Sequence, residues 1–217
     1  MFVDRADAGR ALADEVELLG GLKEPVVVAL PRGGVPVGFE VARRLKAPLV
    51  VMPVAKVGVP GREELALGAV APGGVEVLND DVVAALALDD AELAELVGRA
   101  MGKVALQLEA YKAPPEAASL AGRSAVVVDD GLATGASMRA ALLAVRRMGP
   151  FQVVLAVPVA PPEVLQQLAS LADEEVCVLC PRHMQAVGAW YADFSQTSDA
   201  EVARLLAAAN AQPNGED

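Results

Sequence analysis

The 217 residues include 54% hydrophobic and 22% charged side chains, with a formal net charge of −11 at pH 7. This composition suits one globular domain with a buried core, and the acidic balance argues against a basic face that binds nucleic acid. No apolar run is long enough to span a bilayer, and the amino terminus lacks the apolar core of a signal peptide. We therefore expect a cytoplasmic protein without nucleic-acid or membrane partners.

Helical and strand patterns alternate along the chain. Helices are predicted over 5–19 (capped by Asp4), 36–45, 80–110 in two pieces (the second capped by Asp89 or Asp90), 138–148 and 162–171, and strands over 25–30, 49–54, 126–128, 153–159 and 175–180. Residues 57–74 are rich in Gly and Pro and indicate a loop or hairpin, with one strand around 66–70. The alternation predicts a doubly wound α/β fold with a mainly parallel central sheet and helices on both faces. Residues 1–209 are expected to form one domain, and the polar residues 210–217 a disordered tail.

The most informative segment runs from Val126 to Ser137, with the sequence VVVDDGLATGAS. Three β-branched residues indicate a buried parallel strand, and the carboxyl end of such a strand is where α/β folds bind ligands. Two carboxylates, Asp129 and Asp130, stand at this end. The small residues that follow let backbone N–H groups approach an anion, and a helix amino terminus behind them adds partial positive charge. The segment predicts a phosphate cradle beside carboxylates that suit ribose hydroxyls or hydrated Mg²⁺. The alternative is a surface turn followed by an ordinary helix cap.

A second candidate phosphate loop follows the first predicted strand. Arg32 can bind an oxyanion through two N–H groups, and Gly33 and Gly34 permit close approach of the backbone. On its own, Arg-Gly-Gly is more typical of a simple turn. Its position between an apolar strand and a helix, together with the first motif, favours a functional loop.

These two loops resemble those of type I phosphoribosyltransferases, which use phosphoribosyl pyrophosphate (PRPP). The resemblance covers Val26 to about Phe194 and is closest to a bacterial branch other than the familiar nucleotide-salvage enzymes. It implies a small hood over the carboxyl ends of the strands, a role in nucleotide metabolism, Mg²⁺ as cofactor, PRPP and a nitrogen acceptor as substrates, and a homodimer. The acceptor itself stays open. A non-catalytic PRPP or nucleotide sensor is the main alternative, and a phosphatase-like hydrolase a weaker one.

The resemblance also implies roles for individual residues. Asp129 and Asp130 would engage the ribose hydroxyls and hold Mg²⁺ through ribose or water, and Arg32 and Lys56 would neutralise pyrophosphate; these four are the candidate catalytic residues. The remaining candidate substrate-binding residues are Gly33, Gly34, Gly131, Ala133, Thr134, Gly135, Ala136, Ser137 and Trp190. A cis peptide bond is expected at Arg32–Gly33 or next to it. Arg62, in the loop that would cover the site, is a further candidate cation.

Three features of the rest of the chain bear on function. The aromatic residues Trp190 and Phe194 either line the pocket for a base, together with Met184, or close the core. Cys177 and Cys180 form a C-x-x-C within a predicted strand, and His183 is the only histidine, so buried structural thiols are favoured over a metal or redox site. Ala133 stands where relatives that use hypoxanthine or guanine carry a third Asp, so the resemblance favours a different acceptor.

Overall fold

The computed structural model of the protein describes residues 1–59, 62–86, 88–111 and 119–211, with only the backbone described for 62–66. In chain order the elements are α1 (Arg5–Leu19), β1 (Val26–Ala29), α2 (Gly34–Leu45), β2 (Leu49–Val51), β3 (Ala55–Val59), β4 (Arg62–Ala71), β5 (Val75–Leu78), α3 (Asp80–Leu86), α4 (Asp90–Ala110), β6 (Ser124–Val128), α5 (Ala136–Arg147), β7 (Gln152–Val159), α6 (Pro162–Leu168), β8 (Glu174–Leu179) and α7 (Asp199–Asn210). Short 3₁₀ turns cover Ala169–Leu171 and Val187–Trp190. None of the helices within these ranges is long and apolar enough to cross a membrane.

The central sheet has five parallel strands in the order β2-β1-β6-β7-β8. Every residue of β1 and β6 is buried, which explains why both strands are apolar along almost their whole length. Helices α1, α2 and α7 pack on one face, and α5 and α6 pack on the other. The predicted doubly wound α/β fold is confirmed. Since β1 and β6 are neighbours, the two candidate loops leave the sheet side by side.

A second sheet forms where the sequence predicts a loop or hairpin. Strands β3, β4 and β5 are antiparallel in chain order, so the hairpin is confirmed but is longer than predicted. Successive residues of β4 face opposite ways: Ala69 packs towards α5 and Val70 towards α4. An irregularity in the pairing of β3 with β4 places Leu67 on the α4 side as well. The predicted strand 49–54 ends at Val51 because the chain leaves the central sheet there and enters the second one.

The helix boundaries follow local capping chemistry. Asp89 and Glu92 form a reciprocal capping box at the start of α4, which confirms the predicted break and selects Asp89 as its cap. Helix α5 begins two residues earlier than predicted, directly after Gly135 with its positive φ of 74°. Helix α2 likewise begins at Gly34, and α6 ends at Leu168 before a 3₁₀ turn.

The last described helix reaches into the predicted tail. Asn210 is the final residue of α7, and its side-chain amide accepts a hydrogen bond from the Leu49 N–H and donates one to the Leu49 carbonyl. These bonds join the end of α7 to β2 at the edge of the central sheet. Residues 212–217 lie outside the described residues, so the disordered tail stays a prediction for them.

The close pairing of β4 and β5 at Gly68 predicts a strong effect of a single methyl group. A Cβ at Gly68 would overlap the Val77 carbonyl oxygen and stand 2.9 Å from Leu78 Cα, both backbone atoms that cannot rotate away. We expect Gly68→Ala to lower the free energy of unfolding by about 1–3 kcal/mol in urea denaturation. Gly102→Ala is the control, because a Cβ there meets nothing within 4 Å and should stabilise α4 by about 0.5–1 kcal/mol. Equal effects of the two changes would contradict the packing argument.

Candidate active site

The two candidate loops touch each other through glycine. At Gly34, a Cβ would stand 2.9 Å from both Asp129 Cα and the Val128 carbonyl oxygen, and at Gly33 it would overlap the Asp130 carboxylate. A side chain at Gly34 would therefore push the loop after β1 away from the acidic pair, and one at Gly33 would displace the Asp130 carboxylate. The Pro31–Arg32 peptide bond, next to Arg32–Gly33, is cis, which confirms the expectation from the resemblance. The structure thus brings Arg32, Gly33 and Gly34 together with Asp129 and Asp130.

The acidic pair is partly buried and electrostatically unfavourable. The Asp130 N–H donates a 2.8 Å hydrogen bond to Asp129 Oδ1. Burial, and then the neighbouring Asp130 charge, raise the pKa of Asp129 well above its usual value. Burial also raises the pKa of Asp130, against an opposing effect from the Arg5 guanidinium. Two carboxylates held together in this way can accept hydrogen bonds from hydroxyl groups, or bind a cation, once a ligand supplies them.

Arg5 contacts the acidic pair and is missing from the sequence-based candidates. Its Nε donates a 2.8 Å hydrogen bond to Asp130 Oδ2, and its Nη1 donates one of 2.6 Å to the Ser195 carbonyl oxygen. Its guanidinium carbon lies 3.9 Å from the centre of the Phe194 ring. The sequence offers one signal: a cation in the first turn of a helix is unfavourable for the helix dipole and calls for a partner.

Tyr191 is a second supporting residue that sequence reasoning missed. Its buried hydroxyl donates a 2.5 Å hydrogen bond to the Asp130 carbonyl oxygen, and burial raises its pKa. Its ring lies 5.5 Å from that of Phe2 and 5.0 Å from that of Phe194, between centroids. No local pattern connects Tyr191 to Asp130, because 61 residues separate them along the chain.

The loop from Gly131 to Ser137 leaves the amino terminus of α5 open. Gly131 has a φ of 154°, and a Cβ there would stand 2.6 Å from Val187 Cγ1. The N-cap of α5 is Gly135, so no side chain caps this terminus, contrary to the alternative of an ordinary helix cap. Thr134 is exposed, and Thr134, Gly135 and Ala136 form one wall of a groove of about 700 Å³ that Arg139 also lines. The uncapped helix terminus fits a site where backbone N–H groups meet an anion, and Asp80 and Asp81 line the same groove.

The two candidate cations lie in different surroundings. Arg32 Nη1 is 3.8 Å from Asp199 Oδ1 in α7, an oxygen that also accepts a hydrogen bond from the Tyr111 hydroxyl. Lys56 is exposed on β3 and lines a separate groove of about 440 Å³ with Arg99 and Lys103 of α4. The side chain of Arg62 lies outside the described residues.

Trp190 packs among apolar side chains. It lies against the apolar cluster of Phe2, Ala8, Val159 and Tyr191, which supports the alternative in which it closes the core. Met184 and Val187 pack against the same cluster. Phe194, by contrast, is 36% exposed and stacks on Arg5. Of the aromatic residues in this segment, Phe194 is the better placed to form a wall of a pocket.

The cysteines are only partly buried, contrary to the prediction of two buried thiols. Strand β8 ends at Leu179, so Cys180 lies beyond it and is exposed, whereas Cys177 is half-buried. Both are free thiols, and burial raises the pKa of Cys177 to about 12. Across the part of the chain that the structure describes, no three His, Cys, Asp or Glu residues group in a way that could hold a metal ion.

Comparison with known proteins identifies the family of the chain. The phosphoribosyl transferase domain family matches residues 4–171. The chain belongs to this family. Proteins from two strains of Mycobacterium tuberculosis, provisionally named phosphoribosyl transferases, are each 47% identical to it over 206 residues. The match covers 95% of this chain and 46% of each relative, so the chain spans about half the length of these curated relatives.

A solved structure extends the similarity to the whole fold. The crystal structure of TT1426 from Thermus thermophilus is 45% identical, with a TM-score of 0.78 over 95% of this chain and 97% of that one. The resemblance to phosphoribosyltransferases found in the two loops is confirmed at the level of the family.

The raised pKa of Asp129 predicts a gain in stability when its charge is removed. The folded state binds the proton of the Asp129 carboxyl more tightly than the unfolded chain does. The protonated carboxyl therefore makes its full contribution to the free energy of unfolding when the pH is below the pKa of Asp129 in the unfolded chain. This contribution is lost as the pH rises through the raised, folded-state pKa. Asp129→Asn keeps a side-chain oxygen that accepts the hydrogen bond from the Asp130 N–H. It removes the buried charge that lowers the free energy of unfolding at higher pH. Its free energy of unfolding in urea should exceed that of the wild type at neutral pH, and the difference should shrink towards about pH 4. A difference independent of pH would contradict this account.

Proposed function

We propose that the protein transfers the 5-phosphoribosyl group of PRPP to a nitrogen nucleophile and releases pyrophosphate. The observation that carries the proposal is the packing of Gly33 and Gly34 against Asp129 and Asp130, beside the uncapped amino terminus of α5. PRPP carries a phosphate at one end of its ribose and pyrophosphate at the other. It therefore needs one group to bind the pyrophosphate, one to bind the ribose hydroxyls and one to bind the 5-phosphate, all within the length of one sugar. Membership of the phosphoribosyltransferase family supports the same conclusion.

Each part of the site has a distinct task in this reaction. The bond between ribose C1 and pyrophosphate oxygen breaks, the bond from C1 to nitrogen forms, and the nucleophile loses a proton. Charge builds up on the leaving pyrophosphate and on an oxocarbenium-like ribose, so catalysis depends on positioning and electrostatic stabilisation. Arg32 would bind the leaving group, and Asp129 and Asp130 would hold the ribose hydroxyls near the developing cation. Backbone N–H groups of Gly135 and Ala136, with the hydroxyls of Thr134 and Ser137, would bind the 5-phosphate.

Lys56 is a candidate for binding pyrophosphate, but only after a conformational change. Lys56 pairs with Ala69 across the strands and lines the groove beside Arg99 and Lys103 of α4, so contact with pyrophosphate would need a movement of the hairpin. Lys56 would then contact pyrophosphate when the hairpin closes over the site.

For the acceptor pocket we favour Phe194 together with Val187 as the walls, with Trp190 packed behind them.

The acidic pair fits Mg²⁺ only in partnership with the substrate. Carboxylate oxygens are the donors that Mg²⁺ prefers, but two side chains are too few for an all-protein site, and Mg²⁺ commonly retains waters and substrate oxygens. Asp129 and Asp130 would therefore hold the ion through ribose hydroxyls or water. When bound, Mg²⁺ would supply positive charge to the pyrophosphate. The residues of the chain position the ribose for that contact.

Binding of PRPP is the direct test of this function. Calorimetry with PRPP and Mg²⁺ should show saturable binding by the wild type. Asp130→Asn should weaken that binding at least about tenfold, because a hydrogen bond to a charged group contributes about 1.5–3 kcal/mol. Arg10→Gln, a change on the exposed side of α1, is the control and should bind as the wild type does. Absence of PRPP binding by the wild type, or an unchanged affinity in Asp130→Asn, would refute the assignment.

The residue before the loop threonine predicts which acceptors are excluded. Ala133 is exposed, and its methyl group cannot accept a proton from the nitrogen of a purine. We therefore expect negligible turnover of hypoxanthine, guanine and xanthine with saturating PRPP and Mg²⁺ in steady-state assays. Turnover of any of the three at roughly 1–10³ s⁻¹, the range usual for enzymes, would show that another group serves as the base.

A further inference from the structure

The Asp130 carboxylate has two unlike oxygens. Oδ2 accepts the hydrogen bond from Arg5 Nε and lies directly against Gly33, where even a methyl group would overlap it. No hydrogen bond to Oδ1 is found among the residues that the structure describes. The Asp130 carbonyl oxygen, in turn, accepts the hydrogen bond from Tyr191. One carboxylate oxygen is therefore held by Arg5. The other accepts no hydrogen bond from another described residue and keeps some contact with solvent, although the side chain is only 14% exposed.

Arg5 is itself held in place from three sides. Its side chain is only 12% exposed, its Nη1 binds the Ser195 carbonyl oxygen, and its guanidinium group lies over the Phe194 ring. A long side chain fixed in this way loses its conformational freedom in the folded protein rather than when a substrate binds. The surface pair Arg10–Asp7 on the same helix is different, because both of its side chains are largely exposed.

Building on the proposed function, we infer that Arg5 is a positioning residue: it fixes Asp130 so that Oδ1 faces the ribose hydroxyls. Arg5 does not need to touch the substrate in this role. It acts through one carboxylate oxygen and leaves the other free. The 5-phosphate cradle at the start of α5 is not in contact with Arg5 among the described hydrogen bonds and ion pairs. Arg5 should therefore affect recognition of the sugar and leave recognition of the phosphate unchanged.

This division gives a test that separates positioning from general structural support. The ligands are ribose 5-phosphate, which offers both sugar and phosphate, and inorganic phosphate, which occupies the cradle alone. We expect Arg5→Gln to weaken ribose 5-phosphate binding at least about tenfold in calorimetry, because the charge-assisted hydrogen bond that fixes Asp130 is lost. The affinity for phosphate should change less than about twofold. Arg5→Lys keeps the charge without the fork of N–H groups and should lie between Arg5→Gln and the wild type. Arg10→Gln, the control on the same helix, should match the wild type for both ligands.

A double-variant cycle checks that Arg5 acts through Asp130. If it does, adding Arg5→Gln to Asp130→Asn should weaken ribose 5-phosphate binding less than about twofold further, because both substitutions disrupt the same contact between Arg5 and Asp130. Independent, multiplying losses would overturn the inference, as would equal losses of ribose 5-phosphate and phosphate affinity in Arg5→Gln. Wild-type affinity for ribose 5-phosphate in Arg5→Gln would overturn it too. Failure of the wild type to bind PRPP or ribose 5-phosphate at all would instead remove the proposed function, and the inference with it.

Discussion

The packing of two carboxylates against two glycines, where β1 and β6 leave the sheet, constrains the rest of the site. Parallel strands at hydrogen-bonding distance place their following loops in contact, and here that contact is made by Gly33 with Asp130 and by Gly34 with the Asp129 backbone. A side chain at Gly34 would separate the loops, and one at Gly33 would displace the Asp130 carboxylate. The close approach brings Arg32 and the acidic pair into one small region, and the open end of α5 borders the same loop.

Burying two like charges costs free energy, and the surrounding chain offsets part of that cost. Arg5 supplies an opposite charge to Asp130, the Asp130 N–H supplies a hydrogen bond to Asp129, and Tyr191 satisfies the Asp130 carbonyl oxygen. Removing one partner of a buried ion pair typically costs about 3–5 kcal/mol, because the remaining charge is left unpaired. The acidic pair is therefore tied to the first turn of α1 and to the segment after β8, and these distant parts of the chain stabilise it jointly.

Sequence reasoning succeeded where the signal is local and failed where it is not. The strands of the central sheet, the helix break capped by Asp89 or Asp90, and the acidic pair followed by small residues each depend on contiguous residues, so the pattern predicts them. Arg5 and Asp130 are 125 residues apart, and only the fold brings them together. The extent of the second sheet was underestimated because Gly and Pro mask its alternation. The apolar pattern extends the last strand to Cys180, whereas β8 ends at Leu179, because such a pattern does not mark where hydrogen bonding between strands stops.

The residues that support the site extend beyond the segment that carries the family match. That match ends at residue 171, yet the hydroxyl of Tyr191, the ring of Phe194 and the carbonyl of Ser195 all contact Asp130 or Arg5. Asp199 stands within 3.8 Å of Arg32, on the pyrophosphate side of the proposed site. The chemistry of the proposed site would then lie in the two loops, and its stability and specificity in the elements that surround them.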